Sequence, residues 1–92
     1  MAKLYFRDIL VQIGFSPENA IRQELILDSL IAEKLKAMAK EELQNNRKLS
    51  DDFINKEIRT DYSDYFEHVT QELHLSQRLL AREKLDKYLE SI

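Results

Sequence analysis

The chain has 92 residues, of which 43% are apolar and 34% charged, with a formal net charge of −3. That apolar fraction excludes a disordered chain, and the length fits one domain over residues 1–92 with one modest core. The absence of cysteine removes disulfides, zinc–thiolate sites and thiol nucleophiles, and the mild negative charge supplies no general basic footprint for nucleic acid.

No run approaches the roughly 20 apolar residues that span a bilayer, so no membrane insertion is expected. Met1–Leu10 carries Lys3, Arg7 and Asp8 inside its apolar stretch, which does not make a signal-peptide core. A soluble, cytoplasmic chain is therefore expected, and its size and simplicity fit a bacterial or phage origin. Gly14 is the only glycine and Pro17 the only proline. Sheets need tight turns, and tight turns consume both residues, so a few long helices are expected instead.

The first helix runs from about Lys3 to Ile13. Tyr5, Ile9 and Ile13 share one face, with Phe6 and Leu10 beside them. Gly14 fits the position just past its end. Ile9-Leu10-Val11 also suits a short strand, but no second strand is visible to pair with it.

The second helix opens at Ser16-Pro17-Glu18, with Ser16 as N-cap and Pro17 at the first helical position, and continues to about Asn45. Ile21, Leu25, Leu27, Ile31, Leu35, Met38, Ala39 and Leu43 form one broad stripe, and Ile26 and Leu30 fall on another face. A helix apolar over most of its circumference is central to its fold or shared with a second chain. The first helix covers Ile26 and Leu30, or a second copy does. Asn45-Asn46-Arg47-Lys48 is the loop.

The third helix spans about Asp51 to Leu73, with Ser50 as N-cap and Leu49 stapled to Ile54. Ile54, Ile58, Tyr62, Tyr65, Phe66, Val69 and Leu73 lie within one arc. At His74 the stripe rotates to Ala81, Leu85, Tyr88 and Ile92. A fourth helix is expected from Gln77 to Glu90, with Ser76 as its cap and Leu75 stapled to Leu80.

Asp64, His68 and Glu72 are spaced i, i+4, i+8, a line that could hold a divalent metal or poise an acid–base pair. Ordinary charge pairing on an exposed helix face explains it as well, and a zinc site normally recruits more nitrogen ligands. One glycine cannot make a phosphate loop, and no serine has a nucleophile's context. No catalytic residue, cofactor, metal or small-molecule substrate is therefore assigned, and the chain is read as not an enzyme. Asp61, Asp64 and Glu67 surround the aromatic group Tyr62, Tyr65 and Phe66 and repel phosphate, which points that group toward core packing or a protein interface.

The stretch Val69-Thr70-Gln71-Glu72-Leu73-His74-Leu75-Ser76-Gln77-Arg78-Leu79-Leu80-Ala81-Arg82 resembles the helix-turn-helix of bacterial transcription regulators. The resemblance, over segment 66–85, implies that Leu80 anchors a recognition helix and that Gln77, Arg78, Ala81 and Arg82 touch DNA. Three positions depart from it: Thr70 for a small alanine, His74 for a glycine, and Glu83 where an apolar residue returns to the core. Separately, Ile13-Gly14-Phe15-Ser16 is similar to the first loop of ubiquitin-associated domains, where Met-Gly-Phe docks on the partner. That match is one tripeptide, and a helix end followed by a packed aromatic accounts for it.

The expected fold is all-α: a small four-helix bundle-like domain with two long helices, packed as antiparallel hairpins and completed by dimerisation. The expected function is a non-catalytic protein–protein interaction module. It would act as a small adaptor, inhibitor or regulatory subunit through Ile26, Leu30, Tyr62, Tyr65 and Phe66. Its expected partner is a second copy, with a heterologous protein also open. A small DNA-binding regulator is the alternative. Ile26 and Leu30 standing bare in solvent would collapse the binding-module account.

Overall fold

The computed structural model describes residues 5–91. Among these the backbone forms four α-helices and no strand: α1 (Phe6–Gln12), α2 (Pro17–Asn45), α3 (Asp51–Thr70) and α4 (Leu75–Glu90). The expected start at Lys3, and Ile92 at the end of the last stripe, lie outside the described residues.

The helix ends follow from local chemistry. The Tyr5 N–H donates to the Asp8 carboxylate at 2.8 Å, so the third residue of α1 reaches back to its cap. Gly14 sits at φ +110°, and two reversed bonds close the end of α1 around it. The Gly14 N–H donates to the Val11 carbonyl at 3.1 Å, and the Phe15 N–H donates to the Leu10 carbonyl at 2.9 Å. This is the double closure that a left-handed glycine permits. A methyl group at Gly14 meets nothing within 4 Å, so its cost is purely one of backbone conformation. Gly14→Ala is therefore expected to destabilise the fold by about 1–2 kcal/mol, seen as a lower urea midpoint at unchanged slope.

Ser16 and Ser50 cap as expected: their hydroxyl oxygens accept the N–H groups of Asn19 at 3.2 Å and Phe53 at 3.1 Å. Asn46 ends α2 in the left-handed region, which asparagine tolerates better than most residues. Glu42 then holds the loop at two points. Its carbonyl accepts the Arg47 N–H at 3.1 Å and its carboxylate accepts the Leu49 N–H at 2.9 Å.

Two ends differ from expectation. Helix α3 stops at Thr70 rather than Leu73. The buried Thr70 hydroxyl donates to the Phe66 carbonyl at 2.7 Å, a back-bond that bends helices, and the Leu73 N–H donates to Thr70 at 3.0 Å in a tightened turn. Helix α4 opens at Leu75 with His74 as its cap residue, so Ser76 lies inside the first turn and caps nothing. Leu75 and Leu80 are both exposed and form no staple there.

Phe6, Ile9, Leu10 and Ile13 of the α1 segment, Ala20 and Leu27 of α2, Phe66 of α3, and Ala81, Leu85 and Leu89 of α4 are buried in one cluster. Tyr5, expected on the inner face of α1, is exposed instead, because the buried edge runs through its neighbour Phe6. The Phe6 ring sits 5.7 Å from Tyr62, 6.0 Å from Phe66 and 6.5 Å from Tyr88, tying α1 to α3 and α4. Burial, then the hydrogen bond with Tyr62, pushes the Tyr88 phenol above its ordinary range and keeps it neutral near neutral pH.

Helix α2 is about 44 Å long at 1.5 Å per residue. That matches the longest dimension of the molecule, 46 Å. Met38, in its C-terminal half, is buried outside the main cluster.

Candidate protein-docking site

The stripe on α2 does not face inward as a whole. Ala20, Leu27 and Met38 are buried and Ile31 is half-buried, whereas Ile21, Leu25, Leu35 and Leu43 are exposed. Helix α1 does not cover the other flank either. Ile26 is 43% exposed and Leu30 is 49% exposed, so both are exposed in the single chain and each keeps about half of its surface out of solvent.

Beside Leu30, α2 and α3 enclose a surface groove of about 340 Å³ lined by Leu30, Asp61, Asp64, Tyr65 and His68. Its floor is apolar, and its α3 wall is acidic. The Tyr65 hydroxyl donates to the Gln23 side-chain oxygen, which fixes the ring across the groove. Burial pushes the Tyr65 phenol up from its ordinary range. The Tyr65 and His68 rings lie 6.2 Å apart and are tilted.

Lys34 spans from α2 to α3, 3.1 Å from Glu57 and 3.4 Å from Asp61. Its pKa is raised, chiefly by the hydrogen bond to Glu57 and then by the Asp61 charge. One lysine thus faces two carboxylates, Glu57 and Asp61, and the exposed Asp64 adds a further negative charge to the groove wall.

The other two expected interface residues lie elsewhere. Phe66 is 2% exposed in the centre of the core. Tyr62 is half-buried and packed edge-on to Tyr88 at 5.7 Å. The arc shared by Tyr62, Tyr65 and Phe66 is wide enough that α1 and α4 cover two of its members and leave only Tyr65 at the groove.

Asp64, His68 and Glu72 do not stay in line. Helix α3 ends at Thr70, so Glu72 leaves the face on which Asp64 and His68 remain exposed. No group of three His, Asp or Glu side chains among the described residues is placed to share a metal ion.

In α4, Gln77 and Arg78 are exposed, but Ala81 is fully buried. Arg82 is half-buried, 3.2 Å from Asp86 and 3.8 Å from Glu67. Leu80, the anchor in the helix-turn-helix resemblance, is exposed, as is Glu83. The helix turns its Ala81–Leu85–Leu89 edge inward, and this reverses the inside and outside that the resemblance implies. Phe15, in the other resemblance, packs against the core.

Sequence reasoning missed Leu75 and Leu79. Both are exposed, and with Phe66, Glu67, Thr70, Arg78 and Arg82 they line a second groove of about 210 Å³. Their i, i+4 spacing was the available signal. No helix among the described residues is long and apolar enough to cross a membrane. Comparison with family models, with curated proteins and with solved structures gives no match.

Proposed function

We propose that this chain is a non-catalytic protein–protein interaction module, a small adaptor, inhibitor or regulatory subunit that works in the cytoplasm. It docks through the Ile26–Leu30 flank of α2 and the Tyr65 groove. The observation that carries the reading is Leu30, half open beside a hydrogen-bonded tyrosine and an acidic wall. An apolar floor with a charged rim is the composition of a helix-docking groove. Its charge favours a partner that brings an apolar side chain beside basic ones.

The fold behind this reading is a four-helix bundle with α2 and α3 antiparallel. The ties Lys34 to Glu57 and Asp61, and Gln23 to Tyr65, support it, since they descend α2 while ascending α3. A second copy is the first partner, and a heterologous protein the other.

Leu30→Asp tests the groove, because an exposed position accepts a carboxylate without unfolding the chain. Association is expected to weaken by roughly 10-fold or more while helicity by circular dichroism persists. The measurement is partner retention from the native host, together with mass by size-exclusion chromatography and light scattering. Equal retention and equal mass for wild type and variant would remove the groove from the site.

A further inference from the structure

The α2–α3 groove and the start of α4 are both apolar and are complementary in charge. The groove offers Leu30 and Tyr65 between carboxylates, with Asp64 exposed. The first two turns of α4 offer the reverse. Leu75 and Leu79, 68% and 63% exposed, stand one turn apart with Arg78 between them. Arg78 is exposed and, among the described residues, makes no ion pair, whereas Arg82 is already engaged by Asp86 and Glu67. No acidic residue occurs from Leu75 to Arg82.

These two surfaces cannot meet within one chain. Asp61, Asp64, Tyr65 and His68 line the groove from one flank of α3, and Phe66, Glu67 and Thr70 line the Leu75–Leu79 side from the other. At 3.6 residues per turn the two sets point to roughly opposite sides of the helix. A basic apolar ridge and an acidic apolar groove on opposite flanks of the same helix require a second molecule to bring them together.

We infer that the occupant of the groove is a second copy of this chain, which inserts its Leu75–Arg78–Leu79 ridge against Leu30 and Tyr65 with Arg78 beside Asp64. This rests on the reading of the groove as a docking site and adds the identity of the partner and the surface it presents. Each copy carries one ridge and one groove. Reciprocal docking closes a dimer, and one-way docking builds a ring or a filament. Charge complementarity selects the ridge over the other exposed apolar surfaces: the outer stripe of α2 would place Asp28, which lies within it, against the carboxylates of the groove.

The test uses the whole chain, with mass followed by light scattering across a dilution series. Wild type is expected to exceed the mass of one chain, and Leu79→Asp to weaken association roughly 10- to 30-fold. Asp64→Arg and Arg78→Asp are each expected to weaken it several-fold, and mixing the two variants, or combining them in one chain, to restore it. Because all three positions are exposed, circular dichroism should show unchanged helicity. Wild type at the mass of one chain throughout would overturn the inference. So would association that Leu30→Asp abolishes but Leu79→Asp and Arg78→Asp leave intact; in that case the groove still docks a protein, by another surface. If the charge reversals weaken association without mutual rescue, the pairing of Arg78 with Asp64 is wrong and the inference falls with it.

Discussion

Phe6→Ala is expected to lower the unfolding free energy by about 3–5 kcal/mol, among the largest effects of any truncation in the chain. The ring is 2% exposed and meets three other aromatic rings, Tyr62, Phe66 and Tyr88, drawn from two helices. Its removal opens a cavity between elements that cannot readily collapse, because the surrounding rings are held by their own packing. Helix α1 has 7 residues, too few to persist in water alone, so its helicity depends on docking. Losing its principal anchor should also free Ile9 and Leu10, both fully buried in the parent. A urea titration is expected to show a midpoint shifted by that amount. Hydrogen exchange should show α1 amides losing protection before those of α3. A shift under 1 kcal/mol would mean that the aromatic cluster is not the tie that holds α1. A net stability of 5–15 kcal/mol is usual for small domains, so the substitution removes a large share of what this one has.

Local rules were legible in the sequence because they act over four or five residues. Ser16 and Ser50 satisfy the amides three positions on, and Gly14 takes a φ that a side chain would strain. The inner edge of α4 was also legible, since Ala81, Leu85 and Tyr88 recur with helical spacing and few competing apolar residues share that face. Orientation was not legible where a helix is apolar on several sides. On α2, periodicity placed Leu25 and Leu27 in one stripe, yet Leu27 is fully buried and Leu25 is 61% exposed. Which part of a wide stripe is covered depends on where α1 and α3 land, and spacing within α2 carries no record of that. The same ambiguity separated Tyr65 from Phe66. They are sequence neighbours and both aromatic, but α4 and α1 close over only one of them. The break after Thr70 was hidden for another reason: no glycine or proline marks it, and the apolar spacing runs on through Val69 to Leu73. Of the α2–α3 groove, Leu30 was readable as an apolar residue off the main stripe of α2, and Tyr65 as one of an aromatic group open to core packing or to an interface. The exposed pair Leu75 and Leu79 was not, because Leu75 was assigned to a staple with Leu80 and Leu79 was assigned to no face.

The second large effect separates the docking module from the DNA-binding alternative. If α4 lay in a major groove with Ala81 at the surface, Ala81→Arg would add a phosphate or base contact and strengthen DNA retention. In this fold Ala81 has no exposed surface and sits in the same cluster as Phe66, Leu85 and Phe6. An arginine there must bury an unpaired guanidinium and force several extra carbons into packed space, and both costs add. The expected loss is about 4 kcal/mol or more, enough to leave a small domain largely unfolded. Ala81→Ser is the milder control, with an expected loss of about 1–3 kcal/mol for a buried hydroxyl that lacks a partner. Thermal unfolding and low-salt DNA retention, measured on both variants, give opposite signs for the two arrangements. A stable Ala81→Arg chain that holds DNA more tightly would require α4 to be turned about its axis, with Leu79 and Leu80 inside. The Leu75–Leu79 ridge would then disappear from the surface, and with it the self-docking contact. A chain that unfolds fixes the inner edge of α4 at Ala81, Leu85 and Leu89, and keeps Leu75 and Leu79 outside, where the proposed self-docking contact needs them.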